Sequence, residues 1–345
     1  MERNKKKALT IISLALLLTA VLCASWIYYY IFSPQFHPNR TSYVYIDRDD
    51  TIDSVYVKTS KTGHCHRMAG FRLLAQMRKY DQHIHTGRYK INPDDNAYHV
   101  FIRLYRGHQE PMNLTISSVR TLGRLARNVG KQLMIDSTEI AEKMNDSLFI
   151  RQYGYNQETL PCLFIPDTYQ VYWDMDVDEF FQRMQKEHAR FWNKERKQKA
   201  SDMQLTPEEV CTLASIVEEE TNNKAEKPVI AGLYLNRLKK NMLLQADPTV
   251  KFALQNFSLR RITNADLEID SPYNTYRKLG LPPGPIRIAT PNGIDAVLNH
   301  TKHDYIYMCA KEDFSGTHNF ATNLTEHMNN ARKYWNALNK RKIFK

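Results

Sequence analysis

Thr206–Thr249 reads TPEEVCTLASIVEEETNNKAEKPVIAGLYLNRLKKNMLLQADPT, and its reading decides how the rest of the chain is organised. Thr206-Pro207-Glu208-Glu209 is a capping box: a hydroxyl at the cap, proline at the first helical position, and Glu209 three residues after the threonine. It predicts a helix of fixed register. At about 100° per residue, Val210, Leu213, Ala214 and Val217 form one apolar stripe. Glu219 then points nearly opposite the stripe, into solvent, while Glu218 and Glu220 lie on its flanks. A run of three glutamates is most often a solvated helix face. A carboxyl at the edge of an apolar face, however, is where a raised pKa and general-acid chemistry arise. Periodicity leaves Glu218 and Glu220 as candidates and does not choose between them.

A second helix starts near Pro228 and ends at the lysines before Asn241, and a turn from Gln245 to Thr249 follows. Two antiparallel helices joined by a short loop bring that turn, with Gln245 and Asp247, back beside the start of the first helix. Further on come Pro272-Tyr273-Asn274-Thr275-Tyr276, Gly280-Leu281-Pro282-Pro283-Gly284-Pro285-Ile286 and His318-Asn319-Phe320. The first two read as loops fixed by proline and glycine, the third as a loop before a terminal helix from about Thr325. Tyrosines and Asn274 in such loops suit sugar stacking and hydrogen bonding, or equally plain loop packing.

The chain of 345 residues is long enough for two domains, and 42% hydrophobic with 25% charged residues is an ordinary globular composition. A net charge of +11 favours an anionic partner: nucleic acid, acidic headgroups or an acidic polymer. The sequence has no zinc-finger spacing, RNP-type aromatic motif, Walker loop or GxGxxG, which argues against nucleic acid and nucleotides. The cysteines, Cys23, Cys65, Cys162, Cys211 and Cys309, are scattered without a CxxC pair. Cys211 falls in the predicted helix and reads as a free buried thiol. Neighbours in a tripeptide such as His64-Cys65-His66 rarely face one ion, so no metal site is expected there.

Arg3, Lys5, Lys6 and Lys7 precede an uncharged apolar run from Ala8 to Phe32, with Trp26 and Tyr28-Tyr29-Tyr30 at its far end. The run exceeds the roughly 20 residues a bilayer span needs. It is also longer than the apolar core of a signal peptide, about 7–15 residues. Basic residues before it and aromatics after it predict a retained single-pass anchor with the N-terminus in the cytoplasm. Pro34–Arg40 reads as a linker. Strands are predicted at Tyr43–Ile46, Gly87–Ile91 and Met112–Ile116. Between them fall helices beginning near Thr51, over Met68–Met77, and from Asn92-Pro93-Asp94-Asp95 through Arg106. Helical spacing continues through Ser118–Tyr153, with Ser137 as a cap. Phe164–Tyr169 is extended, and Asp176–Ala200 is one long basic amphipathic helix. Together these predict an α+β protein with a mixed helical and strand C-terminal part.

SIVEEET, LYLNRL, LQADPTV, SPYNTY, GLPPGPI and HNFATNL stand in this order and approximate spacing. From about Phe164 onward the chain therefore resembles the endolytic murein transglycosylase (YceG-like) family, and TGRYKI and FIPDTYQVY upstream also fit it. One departure is that Arg287-Ile288 is interposed between Ile286 and Ala289-Thr290-Pro291.

The resemblance implies a basic cytoplasmic tail (1–7), a transmembrane helix (8–32), a LysM-like α+β subdomain (33–117), a helical connector (118–163) and a catalytic domain (164–345). It implies a lytic transglycosylase of the cytoplasmic (inner) membrane, with its catalytic domain outside, that cuts nascent peptidoglycan strands internally and leaves 1,6-anhydro-N-acetylmuramic acid ends. It places the general acid, later base, at Glu218, and Glu220 in a supporting polar role. Gln245, Asp247, Thr249, Tyr273, Asn274 and Asn323 would line the cleft. No metal or organic cofactor is implied; partners would be glycan strands, the membrane and peptidoglycan synthases, and no nucleic acid. The alternatives are a muramidase-type hydrolase using Glu218 with Asp247, and an anchored glycan-binding scaffold with little or no catalysis.

Overall fold

The computed structural model describes residues 2–259 and 261–341. Met1 of the expected tail and residues 260 and 342–345 of the expected catalytic domain lie outside the described residues. The chain forms two units, Met1–Leu114 with Gln170–Met175, and Thr115–Tyr169 with Asp176–Lys345.

The first unit opens with α1 (Glu2–Ile27), continued by a π turn over Tyr28–Phe32. The helix through Phe32 is long and apolar enough to cross a membrane, and none of its apolar window is buried in the protein. Next come β1 (Ser42–Ile46), α2 (Ile52–Thr62), α3 (Ala69–Met77) and β2 (Gly87–Ile91), with β1 and β2 antiparallel and Val44 opposite Tyr89. α4 (Ala97–Tyr105), capped by Asn96, lays Val100, Phe101 and Leu104 on the core, and β3 (Met112–Ile116) follows. The alternating burial of β2, with Gly87, Tyr89 and Ile91 inward, is the period-2 pattern of a strand packed on one face.

The expected linker Pro34–Arg40 is not loose. Pro34 bridges to Asn96, the amides of Gln35 and Phe36 bond to the Asp95 carbonyl at 3.0 and 3.1 Å, and Phe36 is fully buried. A proline-rich composition concealed one core phenylalanine. The end of the apolar helix is tied down too. Gly70 of α3 approaches it so closely that a Cβ would stand 1.9 Å from the Tyr30 carbonyl oxygen.

The second unit continues with α5 (Leu122–Gly130), α6 (Ser137–Asn145), α7 (Ser147–Gln152) and β4 (Asp167–Val171). β4 pairs with β3. Asp136, one residue before the expected Ser137, caps α6, its carboxylate accepting the Thr138 N–H at 2.7 Å. The long basic helix is two helices, α8 (Val177–Phe191) and α9 (Lys194–Asp202). Trp192 is buried at the break, and the Asn193 side chain caps α9 by accepting the Arg196 N–H at 3.0 Å. Charge periodicity runs through such a break unaltered, whereas an asparagine that competes for backbone N–H groups ends one helix and starts another.

α10 (Pro207–Glu220), α11 (Lys227–Lys239), α12 (Asp247–Ala253) and α13 (Pro291–Leu298) form the centre of this unit. The capping box of α10 is present in both directions, the Glu209 N–H to the Thr206 hydroxyl and the Thr206 N–H to the Glu209 carboxylate. α10 packs against α11, α12 and α13, and every residue from Val210 to Glu218 is buried. β5 (Tyr307–Ala310) and β6 (His318–Ala321) pair antiparallel before α14 (Leu324–Lys340). His318-Asn319-Phe320, expected as a loop, is therefore a strand. Asparagine is a poor strand former, and only the pairing of Asn319 with Cys309 makes it one. All five cysteines are free, with Cys211 buried.

Candidate active site

The three glutamates at the end of α10 occupy three different environments. Glu218 is enclosed: its side chain is 4% exposed, and Oε1 accepts from Lys227 Nζ at 3.0 Å. Oε1 also accepts from the Thr290 hydroxyl, and Oε2 accepts the Thr290 N–H at 3.0 Å. The Thr290 hydroxyl in turn accepts the Gly293 N–H and caps α13. A Cβ on Gly293 would stand 2.5 Å from Glu218 Cδ, so only glycine lets the carboxylate lie there. Glu218 thus ties α10 to α11 and to the start of α13. The catalytic role that the resemblance placed on it meets a carboxylate whose two oxygens are already bonded.

Glu219 does not face solvent, as one-sided periodicity predicted. Arg120 holds it through Nε at 2.9 Å and Nη2 at 2.7 Å, and Arg287 Nη1 reaches Oε1 at 3.0 Å. A helical wheel presumes that the face opposite the core is wet, whereas here two arginines cover it.

Glu220 faces open space. Its partly buried side chain lines a cavity of ≈ 230 Å³ with Tyr234, Arg237, Gln245, Asp247, Tyr276 and His318. Its Oε1 accepts from the Tyr234 hydroxyl at 2.8 Å. Burial of the carboxyl, with the negative charge of Asp247 adding and the Tyr234 hydrogen bond opposing, pushes its pKa up to about 7. The volume is below the roughly 300–1,000 Å³ of sites that engulf a whole ligand. The cavity therefore suits one segment of a longer chain.

α11 and the 243–247 turn build that cavity together. Arg237, a turn beyond Tyr234 on α11 and 7% exposed, donates to the carbonyls of Leu243 (3.0 Å), Leu244 (2.9 Å) and Ile306 (2.6 Å) and to Gln245 Oε1 (3.2 Å). Gln245 has φ +51°, a left-handed conformation that costs a non-glycine residue on the order of 1 kcal/mol or more. Its N–H bonds to the Thr275 carbonyl at 3.1 Å. Asp247 opens α12, is exposed, and accepts from the Tyr276 hydroxyl at 2.6 Å. Burial and that bond raise the pKa of the Tyr276 phenol, which stays a donor. His318 is fixed by Glu226, which accepts its N–H at 2.6 Å and faces its Nδ1 at 3.1 Å.

Of the other expected cleft residues, Thr249 and Asn274 are fully buried. The Thr249 hydroxyl bonds to the Ala246 carbonyl at 2.7 Å and the Thr275 hydroxyl at 2.8 Å. The Asn274 amide donates to the carbonyls of Leu267 (2.9 Å) and Ile269 (2.8 Å), and its oxygen accepts the Tyr276 N–H (3.1 Å). Both hold the loops that present Asp247 and Tyr276. Tyr273 lines a different cavity, packed on Phe252 at 4.7 Å between ring centres. Asn323 is exposed and caps α14 through the Glu326 N–H at 2.9 Å.

The structure thus brings Glu220, Gln245 and Asp247 together with Tyr276 and His318 of the quoted loop motifs, and adds Tyr234 and Arg237, which the sequence did not single out. Tyr234 and Arg237 had one local signal, their place with Asn236 among the leucines of LYLNRL. Among the described residues no three His, Cys, Asp or Glu side chains converge as metal ligands.

Residues 44–333 match the YceG-like family. The chain is 31% identical over 243 residues to a protein named endolytic murein transglycosylase from Bacillus subtilis (strain 168), covering 66% of each chain. It is 28% identical over 327 residues to one of the same name from Streptococcus pneumoniae serotype 2 (strain D39 / NCTC 7466), covering 85% of this chain and 58% of that one. It thus spans less than two thirds of the length of these curated relatives. A crystal structure of a yceG-like protein from Listeria monocytogenes aligns over 85% of this chain and 99% of the other, at 25% identity and a TM-score of 0.56.

Proposed function

The chain belongs to the YceG-like family, and from that premise we propose that it is a membrane-anchored endolytic murein transglycosylase whose general acid is Glu220. The observation that carries the assignment is the contrast within α10. Glu218 and Glu219 are consumed by Lys227, Thr290, Arg120 and Arg287, whereas Glu220 lines a cavity with a pKa near 7. The relatives' name supports murein as substrate.

Protonated Glu220 gives its proton to the oxygen linking N-acetylmuramic acid to the next N-acetylglucosamine as the C1–O bond breaks. The resulting carboxylate takes the proton of the muramoyl 6-hydroxyl while O6 closes on C1, leaving a 1,6-anhydro end and consuming no water. One carboxyl of near-neutral pKa serves both steps, because such a group is well populated in both protonation states. Asp247, held by Tyr276, and Gln245, held by Arg237, orient sugar hydroxyls. Asp247 shares the cavity with Glu220, which also supports a second reading, two-carboxylate hydrolysis giving reducing ends.

The basic tail and apolar helix support a retained anchor in the cytoplasmic membrane with the chain beyond Phe32 outside. The β1-α2-α3-β2 arrangement supports the LysM-like, glycan-contacting reading of the first unit. Peptidoglycan synthases are the expected neighbours of such an enzyme.

The protonated form of Glu220 is the active one. At its ordinary pKa of 4.5 it would be almost wholly ionised at neutral pH; at about 7 it is half protonated. The expected kcat/KM on un-crosslinked glycan is therefore level below pH 6.5 and falls about tenfold per pH unit above the limb near 7. A profile that stays flat to pH 9 would remove Glu220 as the acid.

A further inference from the structure

Beside α12, whose first residue lines the Glu220 cavity, lies a second set of hollows that share lining residues. The largest, ≈ 580 Å³, is lined by Arg120, Arg124, Arg127 and Arg287, with Phe257 and Glu219. An adjoining hollow of ≈ 500 Å³ shares Arg120 and Arg287 and adds Phe252 and Tyr273. A small one shares Arg120, Glu219 and Phe257 and is walled by Pro248 and Lys251 of α12. The first residue of α12, Asp247, lines the cavity of the acid. A helix of seven residues, about 10 Å long, therefore joins the acid's cavity to the arginine groove.

Four guanidiniums face one carboxylate in this groove. Arg124 and Arg127 are exposed, stand three apart on α5, and have no ion-pair partner among the described residues. Like charges so placed on a helix repel, and an anionic occupant would relieve the repulsion. Glu219 displays the mode of binding within the protein: Arg120 grips it with two parallel N–H···O bonds, the fork geometry that matches a carboxylate. Arg120 also lies over the Phe257 ring at 5.2 Å. Rings beside the guanidiniums suit a ligand that carries sugar or apolar faces next to its charge. Arg287 comes from the dipeptide interposed after Ile286.

Resting on the murein reading above, we propose that this groove binds the carboxylates of the peptide substituents on the strand being cut. The enzyme then selects peptide-bearing over peptide-free glycan, Arg124 and Arg127 receiving the external carboxylate while Arg120 and Arg287 are fixed by Glu219. Continuity with the acid's cavity along α12 favours the polymer over an anionic lipid surface as the occupant.

The test compares kcat/KM of the full-length protein on un-crosslinked strands with free peptide carboxylates and on the same strands with those carboxylates converted to primary amides. The ratio of the two is expected to be about tenfold or more in wild type, carried by KM. It should collapse to near one in Arg124→Gln/Arg127→Gln, and the Lys double variant should restore part of it. Sedimentation with vesicles of anionic phospholipid is the companion measurement. No preference in wild type, a preference unchanged in the Gln variant, or loss of vesicle binding as the variant's only defect would each overturn the proposal. Failure of wild type to cut either strand would instead defeat the murein reading itself.

Discussion

Glu220→Gln is expected to lower turnover of un-crosslinked murein strands by on the order of 10³-fold, with the fold intact. The same carboxyl gives the first proton and takes the second, so an amide removes both transfers. Gln still accepts from the Tyr234 hydroxyl, so packing changes little. The variant should also be more stable than wild type at alkaline pH. A carboxyl whose folded pKa is raised from 4.5 to about 7 contributes stability that is present below its unfolded pKa and lost as pH rises through 7. By pH 8 the ionised, desolvated carboxylate costs wild type up to about 3 kcal/mol, a burden that Gln does not carry. At pH 4 the difference should vanish. Chemical denaturation of the two proteins at both pH values reads this directly; equal stability at pH 8 would mean that Glu220 is not desolvated.

Glu218→Ala is expected to act through the fold. It leaves the Lys227 ammonium, 11% exposed, without its counter-charge and frees the Thr290 N–H that its carboxylate accepted. Removing one partner of a buried pair costs about 3–5 kcal/mol, whereas replacing both by apolar side chains is close to neutral. Glu218→Leu/Lys227→Met should therefore recover most of the stability that Glu218→Ala or Lys227→Met alone loses. Activity measured at a temperature where each protein is folded should follow the folded fraction. Loss of all turnover in Glu218→Gln at unchanged stability would return the acid to Glu218.

Much of the second unit was legible because it is locally encoded. The capping box at Thr206 fixed the start of α10, and the linked motifs named the turn holding Gln245 and Asp247. The environments of the three glutamates were not. Lys227 lies only nine residues beyond Glu218, across the helix–helix connection, but Thr290 lies 72 residues away. The arginines of Glu219 come from 99 residues upstream and 68 downstream. No periodicity within α10 carries those contacts, and Arg120 and Arg287 cover the face that the helical wheel presumed wet. β6 is set in the same way: the asparagine of His318-Asn319-Phe320 is a poor strand former, and the extended form comes with pairing to β5. Asn323, an attractive polar motif residue, proved to be a helix cap, a role its position before Leu324-Thr325-Glu326 signals locally.

The most direct measurement is mass spectrometry of the strands released by wild type, Glu220→Gln and Glu218→Gln in ¹⁸O-labelled water. Wild-type products should end in 1,6-anhydro-N-acetylmuramic acid, one water lighter than a reducing end and free of label. Glu218→Gln, wherever it folds, should give the same product, and Glu220→Gln almost none. Labelled reducing ends from wild type, or undiminished anhydro product from Glu220→Gln, would contradict a single-carboxyl transglycosylase acting through Glu220.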